Sequence, residues 1–406
     1  MPLIDYSNFL DKMLLRPKYK KPFKHAKKSY LARVRWAVTL FYFGMGYAFS
    51  SWASRIPDIK QNLGLTEAQL GTILFAIPIG QLIALPISAK TVIKYGSIRV
   101  SVIALSLYVI ALCTLGFSQT SWQLGLALVF FGISGNFCNI AVNTQGVYAE
   151  GLFPKPIMGS FHGSWSLAGF FGALTGMGMN AVGFSPAIHF VITAIVVLLI
   201  VATNKKFLVK AKPRIQKTDV GFWSAFVGVL PWLGLVAFCC RTSEGVMYDW
   251  SGVYFQEVVK APGALALLGF SAFMITMTGG RFLSDILVAR FGRRNILLIS
   301  GVTVSIGMAL AVAFPYLVPA TLSFMLVGIG VSMIFPIVFS IAGSDPNVPT
   351  SAALTVVTSI SFLGFLTGPP VIGYIAEQSS LRHSFAFVAC FGVLISLIVF
   401  AVKKLR

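Results

Sequence analysis

The chain has 406 residues, of which 56% are hydrophobic and 11% charged, with a net charge of +20 and a mean hydropathy of +0.83. An ordinary soluble domain carries about 25% charged residues, so the composition excludes that class and points to a membrane protein. The positive charge lies in loops between apolar runs and not in a basic motif on a soluble fold, which excludes nucleic acid as a partner.

Residues 1–35 hold ten Lys/Arg. Leu3, Ile4, Phe9, Leu10, Met13 and Leu14 either share one face of a short interfacial helix or belong to a disordered basic tail. No small-residue cleavage site follows the first apolar run, so the first helix is expected to stay. Twelve spans of membrane-crossing length are predicted at about 36–54, 68–89, 99–118, 122–144, 157–180, 185–203, 222–247, 262–283, 295–315, 319–342, 351–375 and 383–402. Placing both termini in the cytoplasm puts 26 of the 32 Lys/Arg on the inner side, as the positive-inside rule requires. The expected fold is all-α, with 12 transmembrane helices in two six-helix bundles. The first bundle is 36–203, the linker 204–220, the second bundle 221–402 and the tail 403–406. Cys113, Cys138, Cys239, Cys240 and Cys390 all fall inside apolar runs. Neither disulfides nor a metal or cofactor site is expected from them.

A weak internal repeat supports two related halves. Gly280 to Arg294 packs five charges between two apolar runs, and 196 residues earlier Gly96 aligns with Gly292 and Lys94 with Arg290. Gly132 and Gly328 share that offset. Repeat-built transporters show such symmetry.

Twelve spans with a Gly/Asp/Arg cluster between spans two and three of each half resemble the major facilitator superfamily, from about residue 33 to 402. Ser54 to Lys60, Asn139 to Gln145, Phe161 to Leu167 and Glu244 to Ser251 look like a bacterial branch related to fucose permeases. The resemblance implies a multi-pass inner-membrane transporter, a monomer with a small-molecule solute and protons as the coupling ion. It also implies that Asp285, with Arg290, Gly292, Arg293, Gly96 and Lys94, gates the cytoplasmic side; the alternative is a solvated loop with ordinary helix-end charges. Two departures stand out: the acidic position of the first loop copy is Ala89, and Asn139 stands where that branch often has Asp.

Arg241 and Glu244 fall in one apolar span at a spacing of three, on one helical face, where charges point inward. A Glu beside a fixed Arg offers proton coupling, and the alternative is a permanent structural pair. Gly245 is a place where this helix can break. Asn136, Asn139 and Asn143 form a polar stripe on span four that lines a cavity or joins helices; amides donate and accept, as polyhydroxylated solutes require. Trp165 offers a stacking face to a solute, and His162 titrates in the neutral range or is a satisfied structural histidine. Arg281 is expected to snorkel from its span end, and Trp36, Trp52, Trp122 and Trp250 to anchor at the interface. Pro336 and the Pro369-Pro370 pair are bending candidates.

No GxxxxGK[ST], HExxH or Gly-x-Ser-x-Gly string occurs, so no enzyme or nucleotide-driven pump is expected and no catalytic residue is assigned. The expected function is proton-coupled secondary transport of a sugar-like or anionic solute by alternating access. The alternatives are a proton-antiport exporter of drugs, siderophores or metabolites and a non-transporting membrane receptor.

Overall fold

The structure is a computed structural model that describes residues 28–153, 157–210, 226, 228–343, 348 and 350–402. The expected basic segment up to residue 27, the linker from residue 211 to 220 and the tail 403–406 lie outside the described residues. In chain order the helices are α1 (Lys28–Ala53), α2 (Ile56–Leu63), α3 (Glu67–Leu74), α4 (Ala76–Tyr95), α5 (Ser97–Gly116), α6 (Ser121–Glu150), α7 (Met158–Ala181) and α8 (Pro186–Asn204). They continue with α9 (Leu230–Glu257), α10 (Leu268–Phe291), α11 (Arg293–Ala313), α12 (Leu317–Gly343), α13 (Thr350–Gln378) and α14 (Leu381–Ala401). No strand occurs among the described residues.

The ends of these helices follow from local chemistry. Thr66 caps α3 by accepting from Gln69 N at 3.3 Å, while its own N–H donates to the Gln69 side chain; each bond satisfies a donor that a helix start leaves orphaned. The second predicted span is divided at Phe75 into α3 and α4, because Pro78 has no N–H to offer the carbonyl of Leu74. Gly96 and Gly292 turn the chain between consecutive helices at φ of 84° and 78°, a left-handed region where a Cβ is strained.

The predicted span 222–247 is displaced in the structure. Its helix, α9, runs on to Glu257 without a break at Gly245. The polar string Tyr248-Asp249 reads as an exit from an apolar span, yet both side chains are buried. A helix enclosed by other helices can carry polar groups that a lipid-facing helix cannot.

The 196-residue repeat is visible in the helices themselves. α5 and α11 start at Ser97 and Arg293, and α6 and α12 at Ser121 and Leu317, each pair 196 apart. Packing repeats too. A Cβ on Gly132 would sit 2.2 Å from the carbonyl oxygen of Ile77, and one on Gly328 2.5 Å from that of Phe273, so the same close crossing joins α4 to α6 and α10 to α12. Lys94 lies over the Tyr95 ring at 5.1 Å and Arg290 over Phe291 at 5.4 Å.

Within residues 28–204, α1 packs on α7, α4 on α6, and α5 on α6 and α8. Within 230–401 the equivalent pairs recur: α9 on α13, α10 on α12, and α11 on α12 and α14. The two groups meet where α7 faces α10 and where α3 faces α13.

Nine helical stretches among the described residues are long and apolar enough to cross a membrane: α3 with α4, α5, α6, α8, and α10 to α14. Helices α1, α7 and α9, predicted as spans 36–54, 157–180 and 222–247, are as long but more polar. They carry the tyrosines, serines, glycines and charges of the chain's interior, which is why apolar character alone misses them.

At the end of the molecule that carries α2, the two groups are joined by polar contacts. Lys60 pairs with Glu67 at 3.3 Å and with Glu257, Gln256 donates to Gln61 at 3.1 Å, and Thr72 meets the Tyr374 hydroxyl at 3.2 Å. Burial disfavours the charged form of Lys60, but its hydrogen bonds and ion pairs to Glu257 and Glu67 outweigh that and hold its pKa above the ordinary lysine value. Its contribution is therefore lost at the alkaline end only as pH rises through that raised value. Lys60→Met should slow cross-linking between cysteines placed at Gln61 and Gln256 by about two- to fivefold, the weight of a partly exposed ion pair. An unchanged rate would show that the pairs contribute nothing to holding this end together.

Candidate functional site

Three charges carried by apolar helices, Arg241, Glu244 and Arg281, converge where α9, α10 and α7 meet. Glu244 on α9 is 3% exposed. Its Oε2 accepts from Arg241 Nη1 at 2.7 Å and its Oε1 from Arg281 Nη2 at 2.8 Å, while the Tyr248 hydroxyl donates to the same Oε1 at 2.8 Å. Arg281 also donates to Ser166 on α7. One carboxylate thus satisfies two guanidiniums from two helices of the second group, and one of those reaches into the first group. The local sum of these three charges is one positive.

Arg241 and Glu244 fall together as their spacing requires. The Arg241 guanidinium lies 4.4 Å from the centre of the Phe335 ring, a cation–π contact, and a third of its side chain stays exposed, at 34%. Arg281 does not snorkel. Its place inside an apolar span is compatible with an inward-turned charge, but sequence cannot say which way a span-end arginine turns. Ser166, Tyr248 and Phe335 also belong to the site; Ser166 and Tyr248 lie within two strings that carry the family resemblance, but as ordinary interior residue types none of the three was marked by spacing or charge.

Aromatic rings close one side of this cluster. Trp165 stacks near Phe49 at 6.1 Å and meets Tyr248 edge-on at 6.4 Å, and Tyr248 meets Phe270 and Phe273 edge-on. Trp165 is only half-buried, so part of its ring remains available.

The asparagine stripe divides. Asn143 donates to the Asn139 carbonyl oxygen at 2.8 Å and to its side chain at 2.7 Å, and accepts from the Tyr42 hydroxyl at 2.8 Å. Asn139 is exposed. His162 is also exposed and lies edge-on to the Tyr42 ring at 5.3 Å, and the Ser166 hydroxyl donates to its carbonyl one turn further along α7. Asn139, Asn143, Tyr42 and His162 therefore form a second polar patch on α1, α6 and α7. Asn136 stands apart, accepting from Ser88 at 2.8 Å and joining α6 to α4. Tyr42→Phe should cost about 1 kcal/mol, the net value of one hydrogen bond, read as a lower unfolding midpoint in detergent. An unchanged midpoint would show that the bond to Asn143 adds nothing.

Of the expected gate residues, Gly96 and Gly292 make the two tight helix junctions, Lys94, Arg290 and Arg293 are exposed, and the side chain of Asp285 lies outside the described residues. Trp52 and Trp250 are not interfacial anchors: both are fully buried, whereas Trp36 and Trp122 are 65% and 64% exposed. Trp52 packs beside Phe190 inside the first group.

The profile of the Major Facilitator Superfamily matches residues 36–352. The chain belongs to that superfamily. It is 31% identical over 351 residues, 86% of this chain and 91% of the relative, to an uncharacterised MFS-type transporter of Yersinia pestis. Its fold is similar to the nucleoside transporter NupG, with TM-score 0.75 at 14% identity over 92% of this chain and 100% of that one. It is also similar to the partially occluded inward-open xylose transporter XylE of E. coli, with TM-score 0.70 at 16% identity over 92% and 98%. Members of this superfamily are multi-pass membrane proteins that carry small-molecule solutes and are not enzymes, and this chain is one of them.

Proposed function

We propose that the chain is a proton-coupled secondary transporter of a bacterial inner membrane that moves a small polar solute, sugar-like or anionic, by alternating access. In this reading twelve spans form two six-helix bundles, 36–203 and 221–402, joined by the linker 204–220. The protein acts as a monomer, with both termini in the cytoplasm. The three long polar helices α1, α7 and α9 complete the count beside the nine apolar ones.

The observation that carries the reading is the buried charge cluster at the meeting of the two helix groups, Arg281 of α10 binding Glu244 of α9 and Ser166 of α7. A solute that competes for a guanidinium or for Ser166 there loosens a contact between the groups and so couples binding to their movement. Arg241 with its exposed edge, Trp165, and the patch of Asn139, Asn143 and His162 supply the remaining recognition groups, and Asn136 holds α6 in place. The partly exposed guanidiniums and the exposed Asn139 and His162, set against the sealed end around Lys60, support a state closed to the outside and open to the cytoplasm. Asp285, Arg290 and Arg293, with the turns at Gly96 and Gly292 and the charge of Lys94, are then the elements that close the other side. The relatives' solutes, nucleoside and xylose, are polyhydroxylated, which supports a polar solute here.

The test is flux in liposomes under an imposed proton gradient, with uridine, xylose and succinate as probes. Gradient-dependent accumulation of one of them, lost in Glu244→Gln, is the expected result. Saturable binding with no net movement of any probe would replace transport with the receptor reading.

A further inference from the structure

Beyond the charge cluster, α9 carries a second acid that the solute reading does not use. Asp249 is 5% exposed, and no hydrogen bond, ion pair or charge interaction joins it to another described side chain. Its position along α9 is informative. Gly245, Asp249, Gly252 and Gln256 recur at helical spacing on one face. Gly245 faces Phe365 of α13, Gly252 lies against Pro57 of α2, and Gln256 bonds Gln61 of α2. Asp249 thus lies about 7.5 Å along the helix from Glu244, between the charge cluster and the contacts that seal the α2 end, at a register position between Gly245, which faces α13, and Gly252, which faces α2.

Most of the described charged and titratable groups on the elements packed on α9 have partners of their own; on α1, Arg35 is exposed and Tyr47 stacks on Phe43, and on α10, Arg290 is exposed and the side chain of Asp285 lies outside the described residues. On α2, Arg55 pairs with Asp58 at 2.8 Å and Lys60 with Glu67 and Glu257. On α10, Arg281 is held by Glu244 and Ser166. On α13, Glu377 accepts from the backbone of Ala68 and Tyr374 meets Thr72; on α14, Arg382 donates to the Val312 carbonyl and His383 meets Ser380. On α1, Tyr42 bonds Asn143, and on α9 itself Tyr248 bonds Glu244 and Tyr254 the Ala311 carbonyl. Helix α12 has no charged side chain.

We infer that Asp249 is a proton-binding site whose protonation state is tied to closure of the α2 end. Glu244 has two counter-charges and can be buried ionised; Asp249 has none, and an unpaired charge enclosed away from water is costly. With the α2 end sealed, the neutral acid is the form that fits. When the groups part along α2, the same face of α9 meets water and the acid can release its proton. Among the described residues no cluster of His, Cys, Asp or Glu forms around it that could hold a metal ion. This inference rests on the alternating-access reading.

Two readouts test it without any solute, on the full-length protein in liposomes. Dicyclohexylcarbodiimide adds to a protonated carboxyl: the proton passes to a reagent nitrogen, the oxygen attacks the central carbon, and the adduct rearranges to a stable N-acylurea. The adduct is expected on Asp249 in mildly acidic buffer. It should fall about tenfold per pH unit once pH passes the midpoint of the site. In parallel, amide exchange of segments 56–67 and 250–258 is compared with that of Asp249→Asn at each pH, which cancels the intrinsic pH dependence of exchange. The ratio of wild type to variant should rise with pH, and the ratio of Asp249→Glu to Asp249→Asn should rise likewise, because the glutamate keeps the acid. An adduct on Glu244 with none on Asp249, or a flat ratio, overturns the inference. A protein that passes both tests yet moves no solute overturns the transport reading alone. Undiminished proton-driven flux in Asp249→Asn overturns this inference alone.

Discussion

Glu244→Ala is expected to lower the stability of the protein in detergent by about 3–5 kcal/mol, the cost of removing one partner from a buried ion pair. The size follows from the geometry: Arg241 at 2.7 Å and Arg281 at 2.8 Å lose their shared counter-charge at once. Glu244→Gln keeps an acceptor for one guanidinium and sets its NH2 against the other, and with the polar side chain still in place it should lose less than the alanine variant. Adding Arg281→Met to Glu244→Ala removes one of the two stranded cations and should recover part of the loss. The double-mutant cycle should give a coupling of about 0.5–3 kcal/mol, the range for residues in direct contact. Thermal unfolding of the four proteins decides it: additive losses would mean that α9 and α10 are not held together through this pair.

The second large effect is expected at the crossing of α3 and α13, where the two helix groups touch backbone to backbone. A Cβ on Gly373 would lie 2.5 Å from the Glu67 carbonyl oxygen and 3.0 Å from Gly71 Cα. Neither obstacle is a flexible side chain, so Gly373→Val must push the helices apart. Overpacking of this kind costs about 1–3 kcal/mol, and since it acts only while this end is closed, it shifts the closed-to-open balance by about 5- to 150-fold. Amide exchange in 56–74 should rise accordingly. Gly125→Val, at a site with nothing within 4 Å, is the control. Equal exchange in both variants would mean that the crossing is not part of the closure.

Much of the architecture is legible in the amino-acid sequence. Spans of about twenty apolar residues, the 196-residue offset and the Gly96/Gly292 pair rest on local chemistry: a lipid-facing helix must be apolar, and a tight turn between helices favours glycine. The same logic explains the boundary error at α9. Tyr248 and Asp249 look like the end of a span when each residue is judged against lipid, and only the helices around α9 show that neither side chain meets lipid.

The site was legible in part. Arg241 and Glu244 are three apart on one helix, so their pairing is a local fact, and the intramembrane charges marked themselves by being rare. What lay across the chain did not show. Arg281 is 37 residues from Glu244 and Ser166 is 115 from Arg281, and no periodicity records which helices are neighbours. The asparagine stripe shows the same limit: Asn136, Asn139 and Asn143 share a face by spacing, but Asn136 meets Ser88 of α4 while Asn143 meets Tyr42 of α1.

The amino-acid sequence by itself determined that this protein lies in a membrane, where most of its helices run, that it is built from a repeat, and that Arg241 and Glu244 are placed inside it. These are consequences of solvent transfer and backbone conformation, which act residue by residue. Tertiary structure decided that Glu244 answers two arginines and that Asp249 answers none. It also decided that the gap between the helix groups closes at Gly71 and Gly373, because partners and close approaches depend on helix packing that brings distant residues together.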